Sequence, residues 1–326
     1  MTETTMLRAI NLALARAMTE DERVIVLGED VGPDGGVFRA TDGLFARFGA
    51  ERVRDTPLSE AGIGGIAVGL AVAGFRPVAE IQFSGFIYPL IDQIANHAAR
   101  FRTRTHGHLT CPIVVRAPNG GGIHAPEHHS ESPEAMFAHI PGLRVIVPSS
   151  PRRAYGLLLA ALRGSDPVIY LEPSRLYRAA REAMKDDGEA LPVDRCFVSR
   201  EGIDVTIVAW GAMVVEALNA AAQWEAKGFS AEVIDVATLK PLDAGTIINS
   251  VKKTGRCVIV HEAPLTGGYG GEIAARVAEG AFSSLLAPIV RVAGFDTVMP
   301  LPKLEHLYLP DAARIGAALD RVLAYA

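Results

Sequence analysis

Asp55-Thr56-Pro57-Leu58-Ser59-Glu60-Ala61-Gly62-Ile63-Gly64-Gly65-Ile66-Ala67-Val68-Gly69-Leu70-Ala71-Val72-Ala73-Gly74-Phe75 sets one acid at the head of an otherwise apolar run. From Ala61 to Phe75 every residue is Ala, Gly, Ile, Leu, Val or Phe, so Glu60 is the only ionisable side chain before Arg76. Thr56 suits the cap of a helix and Pro57 its first turn. A helix this apolar and glycine-rich is expected to be buried. Its acid is then either a helix-dipole partner at the surface or a buried carboxyl with a raised pKa.

On either side of this run, short apolar segments alternate with helical patterns, the mark of βαβ units and a largely parallel sheet. Strands are expected at Val24–Leu27, Pro77–Phe83, Ile113–Arg116, Val145–Val147 and Val168–Leu171, and helices near Thr4–Met18, Leu58–Gly74, Pro89–Arg102 and Pro151–Arg163. Arg52 to Pro57 makes a poor strand. The charged stretch Arg178 to Asp194 interrupts the pattern and reads as a connecting segment. The alternation resumes with strands at Val205–Trp210, Ala231–Val236, Val258–Val260 and Ile289–Val292, and helices near Met213–Lys227, Ala244–Thr254, Gly271–Ala281 and Asp311–Tyr325. The expected organisation is a first α/β domain over 1–184, a linker over 185–200 and a smaller α/β domain over 201–326.

The chain has 326 residues, of which 49% are hydrophobic and 21% charged, enough apolar material for two packed cores. A net charge of -5 excludes a nucleic-acid binder of the ordinary basic kind. Arg100, Arg102 and Arg104 read as a solvated face or a subunit contact. The three cysteines, Cys111, Cys196 and Cys257, lie far apart in apolar runs and read as buried thiols rather than a disulfide or zinc framework. Met1 to Arg8 lacks the charged-then-apolar plan of a signal peptide. Ala61–Phe75 is too short to span a bilayer. The expected location is the cytoplasm of a bacterium or archaeon rather than an organellar matrix.

Ligands of open parallel sheets bind beyond the carboxyl ends of the strands. Glu29 and Asp30, Gln82 to Phe86, and Asn119 to His129 all follow expected strands. Gly62-Ile63-Gly64-Gly65-Ile66-Ala67, with Glu80 downstream, formally matches a dinucleotide fingerprint. Those glycines lie inside a helix rather than directly after a strand, and read better as sites of close backbone approach. Gly267-Gly268-Tyr269-Gly270-Gly271 reads as a turn or mobile lid. Gly120-Gly121-Gly122 leads into His124, His128 and His129, which suits a zinc site, a plain surface loop, or a proton-transfer histidine on a mobile loop. Phe83, Phe86 and Tyr88 offer either core packing or a flat wall for a heteroaromatic ring.

Taken jointly, Leu27-Gly28-Glu29-Asp30-Val31-Gly32, Arg54-Asp55-Thr56-Pro57-Leu58-Ser59-Glu60, Arg76-Pro77-Val78-Ala79-Glu80-Ile81-Gln82-Phe83, His128-His129-Ser130-Glu131-Ser132-Pro133-Glu134-Ala135 and Thr254-Gly255-Arg256 carry a resemblance over essentially the whole chain. The chain resembles the β subunit of the thiamine-diphosphate-dependent decarboxylating component of 2-oxo acid dehydrogenase complexes. Pyruvate and branched-chain 2-oxo acid dehydrogenases are the main members, and acetoin dehydrogenase is close. The resemblance implies a transketolase-like pyrimidine-binding domain with a parallel sheet and a transketolase-type C-terminal α/β domain. It also implies an α2β2 heterotetramer whose α subunit holds the diphosphate and Mg2+, and a lipoyl-bearing acyltransferase core that receives the acyl group. The Gly-Asp-Gly of the diphosphate site is absent from the sequence, as suits a β subunit.

By the same resemblance, Glu60 is the glutamate that bonds the aminopyrimidine and so promotes the ylide of thiamine diphosphate. Phe86 stacks on that ring, and Glu29, Leu58, Ser59, Gln82, Tyr88 and Pro89 line the cofactor. His129, rather than His128, orients the 2-oxo acid and passes protons, with Phe83, Ser84, Gly85 and Phe86 as the floor of the substrate pocket. Branched-chain members often carry Ala-Asp-Tyr where this chain has Ser84-Gly85-Phe86, which leans toward pyruvate or broad specificity. A structural K+ is common in the family, and its ligands would correspond to Ile113, Ala161, Leu162, Gly164 and Asp166. A non-catalytic scaffold subunit and a nicotinamide oxidoreductase are the readings from other classes.

Overall fold

The apolar runs become strands buried on both faces, which is why they lack a polar–apolar alternation. The computed structural model describes residues 2–325, so the outermost residues of the two expected domains, Met1 and Ala326, lie outside it. Strands β1 (Thr2–Thr5), β2 (Val24–Gly28), β3 (Val53–Asp55), β4 (Arg76–Glu80), β5 (Val114–Asn119), β6 (Arg144–Ile146), β7 (Val168–Pro173) and β8 (Arg181–Met184) come first. They are followed by β9 (Phe197–Arg200), β10 (Val205–Ala209), β11 (Ala231–Asp235), β12 (Thr238–Lys240), β13 (Cys257–Pro264) and β14 (Val290–Gly294).

One sheet has the order β12-β6-β7-β5-β4-β2-β3 and is parallel except at β12. A second has the order β14-β13-β10-β11-β9 and is parallel except at β9. Helices pack on these sheets, giving the expected α/β class. The helices Met6–Glu20 and Pro151–Arg163 lie against each other with their apolar faces in one core. Thr5 and Ser150 cap them through side-chain oxygens.

Several expectations need correction. Arg52 to Pro57 does contain a strand: β3 pairs with β2, and Thr56 N–H continues the ladder to Gly28 O at 2.9 Å. Thr56 lies three residues before the N-cap, its Oγ1 has no hydrogen-bond partner, and it does not cap the following helix. That helix runs Glu60–Val72 with Ser59 at its N-cap, and Pro57 lies outside it. The helix is buried on one face only. Ile63, Gly64, Ala67, Val68 and Ala71 face the core, whereas Ala61, Ile66, Gly69 and Val72 are exposed. Gly64 is the glycine that close packing requires, since a β-carbon there would stand 2.8 Å from Leu90 Cγ.

The single helix expected over Pro89–Arg102 is a chain of short turns, with a π-helical segment at Gln93–His97 and an α-helical turn at Phe101–Arg104. In the connecting stretch, β8 pairs with β1 and β9 joins the second sheet, so the span 185–200 ends inside a strand. Its irregular part is fastened rather than free: Arg16 bonds Asp186 at 2.5 Å and Arg152 bonds Asp187 at 3.1 Å. Gly267–Gly271 is no lid. Gly268 and Gly270 lie against the His261 ring, and the Tyr269 hydroxyl donates to Leu239 O at 2.6 Å. The three cysteines are buried free thiols. Among the described residues no helix is long and apolar enough to cross a membrane.

Candidate functional site

Four neighbouring parallel strands, in the order β5-β4-β2-β3, bring four segments to one sheet edge. Glu29 follows β2, Glu60 follows β3, Gln82 to Phe86 follow β4, and the segment ending in His129 follows β5. The first sheet is locked beneath them by a buried ion cluster. Arg116 on β5 makes a bidentate pair with Glu172 on β7, both contacts 2.8 Å, and a further short contact to Glu80 on β4. Tyr177 donates its hydroxyl to Glu172. Burial holds the Glu80 carboxyl above its ordinary range, with Arg116 opposing. Glu80 is thus the sheet's own ion partner and is not free to bind a ribose, which closes the nicotinamide reading.

Glu29 is buried, and its Oε1 has no protein partner. Burial and the nearby charge of Glu60 raise its pKa, so the two carboxyls act on one small volume. Glu60 itself is half-buried. Gln82 donates from Nε2 to Asp30 Oδ2 at 3.0 Å, which ties the turn after β4 to that after β2. Leu58, Ser59, Tyr88 and Pro89 lie at the surface of this chain, Leu58 with 82% of its area exposed.

The aromatic and histidine segments meet as two short 3₁₀ turns, Ser84–Phe86 and Glu127–His129. Gly85 has to be glycine: a β-carbon there would stand 1.8 Å from the carbonyl oxygen of His128. The His129 ring lies 4.0 Å from Phe83 and 5.3 Å from Phe86, centroid to centroid. Burial, then the neighbouring His128, lowers the His129 pKa, and Glu127 opposes them. The ring therefore rests in its neutral form near pH 7, able to take a proton. Its Nδ1 is buried with no protein partner. Ser84 is fully buried and donates to Glu131 O at 2.9 Å, and Tyr88 donates its hydroxyl to the Glu131 carboxylate.

The loop carrying these histidines is anchored rather than mobile. Glu305, from the second half of the chain, accepts from Gly122 N–H at 2.6 Å and from His124 N–H at 3.2 Å, and pairs with His124 Nδ1 at 2.9 Å. His124 is turned toward Glu305 and away from His128 as a zinc partner. Phe38, Glu131 and Glu305 support the site; Glu131 lies in the histidine motif, and nothing in the sequence pointed to Phe38 or Glu305. Phe38 sits between Phe83 at 5.4 Å and Tyr177 at 5.1 Å and joins the ion cluster to the aromatic wall.

Four of the five carbonyl oxygens matched to a K+ site are engaged. Ile113 O accepts from Val168 N–H and Ala161 O from Gly164 N–H. Leu162 O accepts from Arg76 Nε at 2.9 Å, and Gly164 O from the same guanidinium. The Asp166 carboxylate pairs with Arg102 and Arg144. A guanidinium already supplies the positive charge there and would repel a second cation, so these residues do not fit K+.

Residues 2–180 match the family described as "Transketolase, pyrimidine binding domain", and residues 194–315 match "Transketolase, C-terminal domain". The pyruvate dehydrogenase E1 component subunit beta of Staphylococcus epidermidis is 49% identical over 311 residues, covering 95% of this chain and 96% of that protein. The same subunit of Leifsonia xyli subsp. xyli is 51% identical over 320 residues, covering 98% and 95%. A solved chain described as a split gene transketolase, inactive beta4 tetramer, superposes with a TM-score of 0.79 at 27% identity and covers 98% of each chain. The chain belongs to the family of pyruvate dehydrogenase E1 component β subunits, a thiamine-diphosphate-associated family of transketolase-like fold.

Proposed function

We propose that this chain supplies the pyrimidine half of a thiamine diphosphate site in an α2β2 enzyme, working in the cytoplasm of a bacterium, that oxidatively decarboxylates pyruvate and passes the acyl group to lipoamide on an acyltransferase core. The observation that carries this is the meeting of Glu29 and Glu60 beyond adjacent strands, with the Phe86 ring and His129 on the next two. A buried carboxyl oxygen without a protein partner and a flat apolar wall suit an aminopyrimidine. No Gly-Asp-Gly is present to hold a diphosphate, so that half of the site, with its Mg2+, belongs to the α subunit.

When bound, the cofactor supplies the nucleophilic carbon and the electron sink that decarboxylation requires. Glu60 exchanges a proton with the ring nitrogen of the aminopyrimidine. Phe86 holds the ring flat, and Glu29, Leu58, Ser59, Gln82, Tyr88 and Pro89 close around it once the α subunit covers the exposed members. Phe83, Gly85 and Phe86 form an apolar floor for a short 2-oxo acid, whereas Ser84, fully buried and bonded to Glu131 O, braces it from beneath and does not reach the substrate. His129, neutral at rest, orients the substrate and carries a proton during acyl transfer. The floor has no charged group to reject a longer side chain. Discrimination between pyruvate and short branched-chain oxo acids is therefore only ~10–200-fold per methylene.

Purified alone, the chain forms an inactive assembly of β subunits. Mixed with an α subunit that carries Gly-Asp-Gly, it gains pyruvate-dependent reduction of an artificial electron acceptor and acylation of lipoamide. Full turnover by the isolated chain overturns the proposal. Inactivity of a correctly assembled α2β2 supports a scaffold subunit instead. A preference for acetoin over pyruvate in that assembly supports the acetoin dehydrogenase reading.

A further inference from the structure

A small polar pocket lies where the histidine loop meets the second half of the chain. Asn119 at the end of β5, Glu134 beyond the histidines and Glu262 on β13 line it, with Trp210 closing one side. Its volume is about 10 Å³, the room needed by one water molecule. Each of the three polar residues is more than nine-tenths buried, and each keeps one oxygen without a hydrogen-bond partner: Asn119 Oδ1, Glu134 Oε2 and Glu262 Oε1. The remaining oxygen of Glu134 accepts from Trp210 Nε1 at 3.1 Å. Three unpartnered acceptor oxygens thus belong to residues that line one small space. Leaving such groups unsatisfied is costly.

One water with one carboxyl proton satisfies all three. The water donates to two acceptors and accepts from the protonated acid, and three hydrogen bonds is the usual number for a buried water. A bare cation would find only three oxygens. It would also lie near Arg175, whose Nη1 is 4.0 Å from Glu262 Oε1 and whose other nitrogen pairs with Glu216. We propose that the pocket binds one water molecule and one proton shared between Glu134 and Glu262, and that this clip fastens both ends of the histidine loop to the second domain.

Asn119 and Gly120 open that loop, and Ser132 to Glu134 close it. Gly120 N–H also donates to Glu131 O at 2.8 Å across the loop's neck. Gly120 lies so close to Glu262 that a β-carbon would stand 2.2 Å from its Oε2. Loss of the proton leaves two carboxylates facing each other across a dry seam. Arg175, 4.0 Å from Glu262 Oε1, relieves this only in part. Glu305 and Glu216 are acidic, and Arg175 is shared with Glu216. Burial keeps His261, stacked on Trp210, neutral by lowering its pKa to about 4. The Tyr308 hydroxyl is pushed up to about 12. Burial likewise raises Glu134 and Glu262 each to about 7.

The clipped state therefore holds a proton that the open loop, with carboxyls near ~4.3, does not. Its stability is full below that value and declines as pH rises, levelling off above about 7. Hydrogen exchange of residues 120–133 in the full-length chain, divided by the intrinsic rates, reads the opening constant. It should rise at least about tenfold per pH unit between pH ~5 and ~7 and then flatten. The E134Q/E262Q double variant should abolish that slope, because an amide donates to the water without taking up a proton, whereas either single variant keeps the slope of the remaining buried acid. A slope unchanged in the double variant, or no slope in the native chain, overturns the proposal. So does exchange at pH 8 that slows when K+ replaces choline at constant ionic strength, which would make the occupant a cation. A crystal structure of the chain should show one water bonded to Asn119, Glu134 and Glu262, and none of those bonds overturns it equally.

Discussion

Gly85 and the carbonyl of His128 are pressed together, with space for a hydrogen but not for a methyl group. The turn that forms the pocket floor and the turn that presents His129 are thus set by one contact. Both partners are backbone, so neither can swing aside. G85A should displace the histidine turn by an ångström or more. Misplacement on that scale costs ~10²-fold in rate. The expected result is a kcat lowered about that much in the α2β2 enzyme, with the fold kept by circular dichroism. An aspartate, as in the branched-chain pattern, should do the same rather than convert the specificity.

E60Q tests the proton exchange proposed for Glu60. Glutamine keeps the shape but cannot pass between carboxyl and carboxylate. Loss of a positioned acid–base group costs ~10²–10⁴-fold. Exchange of the thiazolium proton, followed by NMR in the assembled enzyme, should slow by that factor. An unchanged rate would return Glu60 to a helix-dipole role.

H129A should cripple acyl transfer to lipoamide and leave cofactor affinity nearly unchanged, while H128A is mild. Because burial lowers the His129 pKa, the neutral ring persists below the ordinary histidine range of ~6.5. The acidic limb of kcat for acyl transfer should accordingly fall below that value and vanish in H129A. The opposite ranking of the two variants would place the chemistry on His128.

R116M removes the cation from between Glu80 and Glu172 and leaves two buried carboxylates without it. Breaking a buried pair in this way costs ~3–5 kcal/mol. Urea denaturation of the full chain should show that loss. Phe83 and His129 should loosen with it, since Tyr177 and Phe38 connect them to the cluster.

Most strands of both sheets were legible because doubly buried strands leave unbroken apolar runs such as Val24–Leu27 and Ala231–Val236. The site segments were legible because Glu29, Gln82 and His129 follow such runs and ligands gather at strand ends. β3 was not, since three residues, one of them Arg54 and preceded by Arg52, carry no periodicity. The cap was misplaced because Thr56 fits a cap or a ladder equally well by chemistry, and only its bond to Gly28 decides. Phe38 and Glu305 were invisible for a different reason. Their site partners, Phe83 and His124, are 45 and 181 residues away in number, and nothing local marks such contacts. The break at Gln93–His97 likewise depends on the helix pressed against it through Gly64.

Strand β12 belongs in sequence to the second half of the chain and in space to the edge of the first sheet. It pairs there with β6, and Lys240 reaches on to the carbonyls of Ala138 at 2.7 Å and Ile140 at 3.1 Å. The two halves are thereby stitched through a shared ladder and cannot swing on a hinge. A protease cut anywhere in 185–196 would leave a nicked molecule that migrates as one particle, and heat would melt both halves in a single transition. Access to the site therefore has to be governed by what docks on its open rim rather than by a gaping of this chain.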